Sequence, residues 1–121
     1  MNANQMKLGQ LIDDLKRFPA DEFIRFDFGG LVPTRFDSYR GYYEDLAIGF
    51  ADEYSGNTVG DFLKRCEACI GATFTGWKGG EYTMTRDTDV WVANPGNATG
   101  TGLTGVECRH HTLVLLTDFV D

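Results

Sequence analysis

Two short blocks of the sequence combine aromatic rings, cations and glycines. The first, residues 38–43 (SYRGYY), sets Arg40 between tyrosines and beside a glycine. The second, residues 73–84 (TFTGWKGGEYTM), is followed by the segment VWVAN, which ends at Asn94. Aromatic faces can stack on a base, cations can pair with phosphates, and glycines let backbone amides approach an anion. The blocks indicate a nucleotide pocket, with half-buried aromatic packing and turns as the alternative.

Familiar catalytic signatures are missing from the sequence, which contains no GxSxG elbow, P-loop, HExxH motif or Rossmann glycine fingerprint. His110 and His111 are adjacent near the predicted last strand. Neighbouring residues of a strand point to opposite faces, so we expect that these two histidines cannot serve one centre. Carboxylate pairs such as residues 13–14 are typical of solvated faces. We therefore predict no catalytic residues, although acid–base hydrolysis stays open.

The three cysteines allow two interpretations. Cys66, Cys69 and Cys108 cannot all be paired, which favours a reducing compartment over a disulfide scaffold. Cys66 and Cys69 together with Cys108 or the histidines could form a zinc ligand set. However, the first pair falls within a predicted helix, where side chains three residues apart can be core neighbours. We predict buried or incidental thiols, no metal and no cofactor.

The length and charge of the chain narrow the possible classes of protein further. The chain has 121 residues, which suits one domain over residues 1–121, and a formal charge of −7 from 11 basic and 18 acidic residues. Because the basic residues are not clustered, we expect no binding to duplex nucleic acid. A domain this small cannot easily enclose a ligand, so a sizeable site would borrow walls from a second subunit. The first twenty residues lack a signal-peptide core and no run is long enough to span a membrane, which predicts a soluble intracellular protein.

The hydrophobic pattern predicts an α+β fold, a mostly antiparallel sheet packed against two helices. The first helix covers residues 5–18 and ends at Pro19. The second begins at Thr58, whose hydroxyl can cap it, and closes at Gly71. Strands are predicted over residues 22–28, 31–40, 42–50, 81–84, 88–93 and 112–119, with loops over residues 73–80 and 94–105.

The segments LGQLIDDL, SYRGYY, ATFTGWKGGEYTM and VWVANPGNATGTG, which together extend over most of the chain, resemble the type one phage Thoeris anti-defence family. These small proteins act as sponges for bacterial immune signals. The resemblance implies that the chain encloses, without degrading it, a cyclic ADP-ribose isomer in a pocket shared between subunits. The assembly would be a homo-oligomer, a dimer or a trimer of dimers, in the cytoplasm of the infected bacterial host. Some family members also hold cyclic di- or trinucleotides at a separate site.

The resemblance also implies roles for individual residues. Arg40 and Arg109 would face the diphosphate, an aromatic ring or Met84 would lie against adenine, and Asn94 would hydrogen-bond the base edge or a ribose hydroxyl. The full set of expected ligand-binding residues is Tyr39, Arg40, Tyr42, Phe74, Trp77, Lys78, Tyr82, Met84, Asn94 and Arg109. Two other functions stay open: an enzyme that cleaves the same cyclic nucleotide, and a structural or protein-interaction module without a nucleotide ligand.

Overall fold

The computed structural model describes residues 5–39, 42–52, 58–75, 81–94 and 99–120, except for the side chains at positions 38, 42–44, 74, 75 and 82. Within these residues, two helices and eight strands follow one another. Their bounds are α1 (Leu8–Leu15), β1 (Phe23–Phe26), β2 (Val32–Tyr39), β3 (Tyr42–Ala51), α2 (Val59–Cys69), β4 (Thr73–Thr75), β5 (Glu81–Thr83), β6 (Val90–Val92), β7 (Thr101–Arg109) and β8 (Thr112–Phe119).

Six of the strands form one sheet in the order β1-β8-β7-β6-β3-β2, and β4 pairs with β5 separately. The α+β class with two helices agrees with the sequence prediction. The sheet, however, is mixed, because β1 runs parallel to β8 and β3 runs parallel to β6. Both parallel ladders join strands that are distant in sequence, so no local pattern could indicate them.

The sheet curls until its two edge strands come together at one end. β1 and β2 are joined by a tight turn in which Gly29 and Gly30 have φ of +60° and +65°, a conformation that favours glycine. The amide of Phe26 donates to the carbonyl of Leu31 at 2.8 Å. The result is nearly a barrel, with one concave and one convex face.

The main core fills the concave face, where both helices pack. Leu8, Leu11, Ile12 and Leu15 of α1 are buried, as their spacing predicts. In α2, the hydroxyl of Thr58 accepts a hydrogen bond from the amide of Asp61 at 3.2 Å, which confirms the predicted cap.

Residues 5–7 do not belong to α1, contrary to the prediction, because they insert between β6 and β7. The amide of Met6 donates to the carbonyl of Leu103 at 2.7 Å, and the amide of Val90 donates to the carbonyl of Met6 at 3.2 Å. β6 and β7 consequently share one register pair, Trp91 with Gly102. A Cβ on Gly102 would lie only 2.7 Å from Val120 Cγ2, so this position needs glycine.

Two further predictions were wrong. The loop over residues 94–105 ends before β7, because Gly102 and Gly105 serve close packing and a β-bulge rather than turns. The histidines do not lie on opposite faces of a strand. His110 and His111, with φ of 50° and 62°, form the two-residue turn between β7 and β8.

Candidate functional site

Tyr39 and Trp91 stack on the convex face of the sheet, opposite the main core. Their ring centroids lie 4.4 Å apart and their planes are 12° from parallel. Ala47 and Ala93 complete the cluster, and all four side chains are buried. We call this cluster the aromatic stack. It joins β2, the strand that leads into the SYRGYY block, to β6, the strand that leads to Asn94.

Hydrogen bonds fix both ends of the aromatic stack. The hydroxyl of Tyr39 accepts a bond from the amide of Gly100 at 2.7 Å. The indole Nε1 of Trp91 donates to Asp45 Oδ2 at 2.9 Å. The amide of Val120 donates to the carbonyl of Gly100 at 2.9 Å, and Val120 packs against the cluster. The stack thereby fixes the chain immediately after residues 95–98.

Asn94 lies beside the aromatic stack, over β3. Its Oδ1 accepts a hydrogen bond from the amide of Phe50 at 2.9 Å. A Cβ on Gly49 would approach this oxygen to 3.2 Å, so glycine leaves the space that the side chain uses. Since the oxygen is engaged, the amide NH₂ of Asn94 is the group that can donate to a ligand.

Met84 lies on the other side of the sheet, in the main core, and has no exposed surface. Its backbone is tied to the end of α2, because the amide of Gly71 donates to its carbonyl at 2.9 Å and its own amide donates to Ala72 at 3.2 Å. Tyr39 and Asn94 therefore lie on the convex face, whereas Met84 lies in the main core. Tyr39 itself is 1% exposed, so it supports the neighbouring segments from beneath.

Arg109 is at the far end of β7 from the aromatic stack. Seven residues separate it from Gly102, the partner of Trp91. At the rise of a strand this is about 23 Å. Its guanidinium pairs with the carboxylate of Glu107, and both side chains are half exposed. Within one chain, Arg109 and Asn94 cannot contact the same small ligand.

Three of the other expected ligand residues lie outside the described part of the chain: Arg40, Trp77 and Lys78. For three more, the structure describes the backbone but not the side chain: Tyr42, Phe74 and Tyr82. The backbone places Phe74 opposite Tyr82 in the ladder between β4 and β5.

The three cysteines are free thiols that differ in their exposure to solvent. Cys66 and Cys69 are free and buried in the core, as the prediction of buried thiols requires. Burial raises the pKa of Cys66 well above its ordinary value and that of Cys69 to about 11. Cys108 is exposed, with its Sγ 3.6 Å from Glu22 Oε1. Among the described residues, no three His, Cys, Asp or Glu side chains are grouped closely enough to hold a metal ion.

Sequence reasoning did not assign Trp91 and Asp45 to the candidate site. The alternation of Trp91 with Val92 and Ala93 in a short strand was the available signal, because it places the indole and the small Ala93 on one face. The partnership with Asp45 had no local signal, since 46 residues separate the two positions.

No family model, curated protein or solved structure matches this chain. The family resemblance therefore stays a prediction. In the part of the chain that the structure describes, neither helix has the length and apolar character needed to cross a membrane.

Proposed function

We propose that this protein binds a cyclic ADP-ribose isomer and sequesters it without cleaving it. One observation supports the proposal more than any other: the aromatic stack joins the SYRGYY block to the segment that carries Asn94. Tyr39 is the residue before Arg40, and Trp91 lies three residues before Asn94. Arg40 and Asn94, the proposed cation for phosphate and amide for a base or ribose, thus follow β2 and β6, the two strands that flank β3 in the sheet.

The proposal includes a pocket shared between two subunits of a homo-oligomer. Arg40 and Arg109 are both expected at the diphosphate, but Arg109 belongs to the far end of β7. If both arginines hold one ligand, they come from different chains. A shared pocket also suits the size of the domain, because nanomolar binding corresponds to about −12 kcal/mol and needs most of the ligand buried with several charge-assisted bonds.

A thermal-shift screen tests the function directly. The ligands are cyclic ADP-ribose isomers, linear ADP-ribose, and cyclic di- and trinucleotides, and each sample is afterwards heated and its small molecules separated by chromatography. We expect one cyclic isomer to raise the melting temperature by mass action and to be recovered unchanged. Conversion to a new product would indicate the cleaving enzyme. No shift with any compound would favour the structural or interaction module.

An arginine variant tests the proposed contact of Arg40 with phosphate. We expect Arg40→Ala to weaken binding at least about tenfold, as loss of a charge-assisted bond to phosphate predicts, with circular dichroism verifying the fold. Arg17→Ala is the matched control, because Arg17 follows the end of α1 with 77% of its side chain exposed and its loss should leave affinity unchanged. Unchanged affinity of the Arg40 variant would refute the phosphate role.

A mixing experiment then asks whether the two arginines belong to different chains. Each variant alone, Arg40→Ala or Arg109→Ala, should have no intact site. In a dimer with two shared sites, a mixed dimer places both substitutions in one site and leaves the other intact, so random mixing restores about one quarter of all sites. Calorimetric titration counts them. No restoration, although both variants have lost binding, would contradict the shared pocket.

A further inference from the structure

A cavity of about 320 Å³ opens at one end of the near-barrel, on its concave side. It lies where β3, β6 and β8 end and where β7 begins. We call it the barrel-mouth cavity. Its apolar wall consists of Phe28, Phe50, Val92 and Phe119. The polar part of the lining is Thr99, Thr101, Thr117 and Asp118.

The aromatic rings of this wall are held in fixed orientations. Phe28 meets Phe50 edge to face, with centroids 5.2 Å apart and planes at 89°. Phe28 also stacks on Phe26 at 5.2 Å. Phe119 stands at the rim and is 69% exposed. Its ring lies over Gly100, where a Cβ would come within 2.6 Å of Phe119 Cε1.

Several polar groups around the cavity have partners within the chain. The Thr99 hydroxyl donates to the carbonyl of Val92 at 2.7 Å, and the Thr117 hydroxyl donates to Asp27 Oδ1 at 2.6 Å. Asp118 Oδ1 accepts from the amide of Phe119 at 2.8 Å. Among the described lining residues none is basic, and Asp118 is the acidic one. The cavity therefore offers ring faces and carbon surface, and its charge disfavours an anion.

We propose that the barrel-mouth cavity binds a small neutral aromatic molecule with one or two fused rings. Its volume is at the lower end of the range for ligand pockets, which suits a ligand of this size. Fixed phenylalanine rings favour a further ring in an offset or edge-to-face arrangement. The cavity lies on the opposite face of β6 from the aromatic stack, so this proposal does not depend on the proposed nucleotide function.

Indole is the probe, followed by backbone amide NMR. We expect indole to shift the amide signals of Val92, Thr101 and Thr117. Phe119→Ala should weaken binding at least about fivefold through the lost ring contact. Phe23→Ala is the matched control, because Phe23 is 59% exposed and belongs to the opposite end of β1, and it should leave affinity unchanged. Thr101→Phe should fill the cavity and abolish binding in a chain whose circular dichroism is unchanged.

Indole-3-carboxylate, a charged molecule of similar shape, tests the selectivity. We expect it to bind at least about tenfold more weakly than indole, because none of the described lining residues offers a cation to its carboxylate. The proposal is overturned if millimolar indole leaves these amides unshifted, or if the variants at Phe119 and Phe23 bind it equally. It is also overturned if gel filtration shows a dimer that Phe119→Ala alone dissociates, since a second copy would then occupy the cavity.

Discussion

The two faces of the sheet are stabilised in different ways. The concave face is packed by aliphatic side chains of α1 and by Val59, Phe62, Cys66 and Cys69 of α2. The convex face has the aromatic stack, in which a hydroxyl and an indole N–H each have one defined partner. Apolar packing is non-directional, whereas hydrogen bonds fix an orientation. The concave face therefore carries the stability of the domain, and the convex face carries the positioning of the segments around Arg40 and Asn94.

The largest expected effect belongs to the concave face. Leu11→Ala removes a fully buried side chain of α1 and should lower the free energy of unfolding by about 3 kcal/mol, from lost transfer energy and the cavity left behind. Urea denaturation measures the change. Thermal-shift ligand binding, measured where the variant is still folded, should keep the affinity of the parent chain. A loss of affinity in the folded variant would show that the two faces are coupled.

A smaller effect on stability is expected at the convex face. Tyr39→Phe removes the hydroxyl that accepts from Gly100, leaving a buried amide without its partner, and should cost about 1 to 2 kcal/mol. Hydrogen exchange should show faster exchange at Gly100, with the α1 amides changed only by the global loss of stability. If local opening increases equally at Gly100 and at the α1 amides, the two faces do not have the separate roles described above. Under the proposed function, ligand affinity should fall more in this variant than in Leu11→Ala.

The hairpin turn at His110 and His111 is remote from the aromatic stack and serves as a reference. Both residues have positive φ, which asparagine and glycine adopt more readily. The double substitution His110→Asn, His111→Gly should raise the free energy of unfolding by about 1 kcal/mol. Urea denaturation measures the gain. A loss of stability would mean that the imidazoles make stabilising contacts that outweigh their backbone strain.

The smallest effect concerns pH and the thiol of Cys69. Burial raises its pKa to about 11 in the folded chain, above the ordinary value of a cysteine thiol. A raised pKa means that the folded state favours the protonated thiol, so this stabilisation is full below about pH 9 and is lost as pH rises towards 11. Cys69→Ala should flatten that part of the stability–pH curve more than Cys108→Ala, because Cys108 is exposed and its pKa is raised less. If both variants show the same slope of stability against pH, other groups cause the loss of stability at alkaline pH.

The sequence was sufficient where structure depends on neighbouring residues. The spacing of Leu8, Leu11 and Leu15 identified the buried face of α1, and Thr58 identified the start of α2. It was insufficient where distant segments meet. Residues 5–7 are extended because β6 and β7 provide their hydrogen-bond partners, a tertiary effect that overrides the helical pattern.

The candidate site was predictable to a similar degree. The aromatic block indicated Tyr39 and the family resemblance indicated Asn94, and both residues lie on one face of the sheet. Nothing local separated Met84 from them, because a methionine in a strand pattern suits a core as well as a ligand pocket. Arg109 lies far from the aromatic stack because β7 separates them. The sequence did not predict this strand, since its glycines are typical of a loop.

The insertion of residues 5–7 between β6 and β7 has a consequence for synthesis on the ribosome. Met6 finds its partners only when Val90 and Leu103 have been made, and β1 finds its partner only with β8. Most of the chain must therefore leave the ribosome before its first residues acquire their native hydrogen bonds. Such long-range closure slows folding, so the nascent chain depends on α1 and α2 to cover its apolar surface until the sheet is complete.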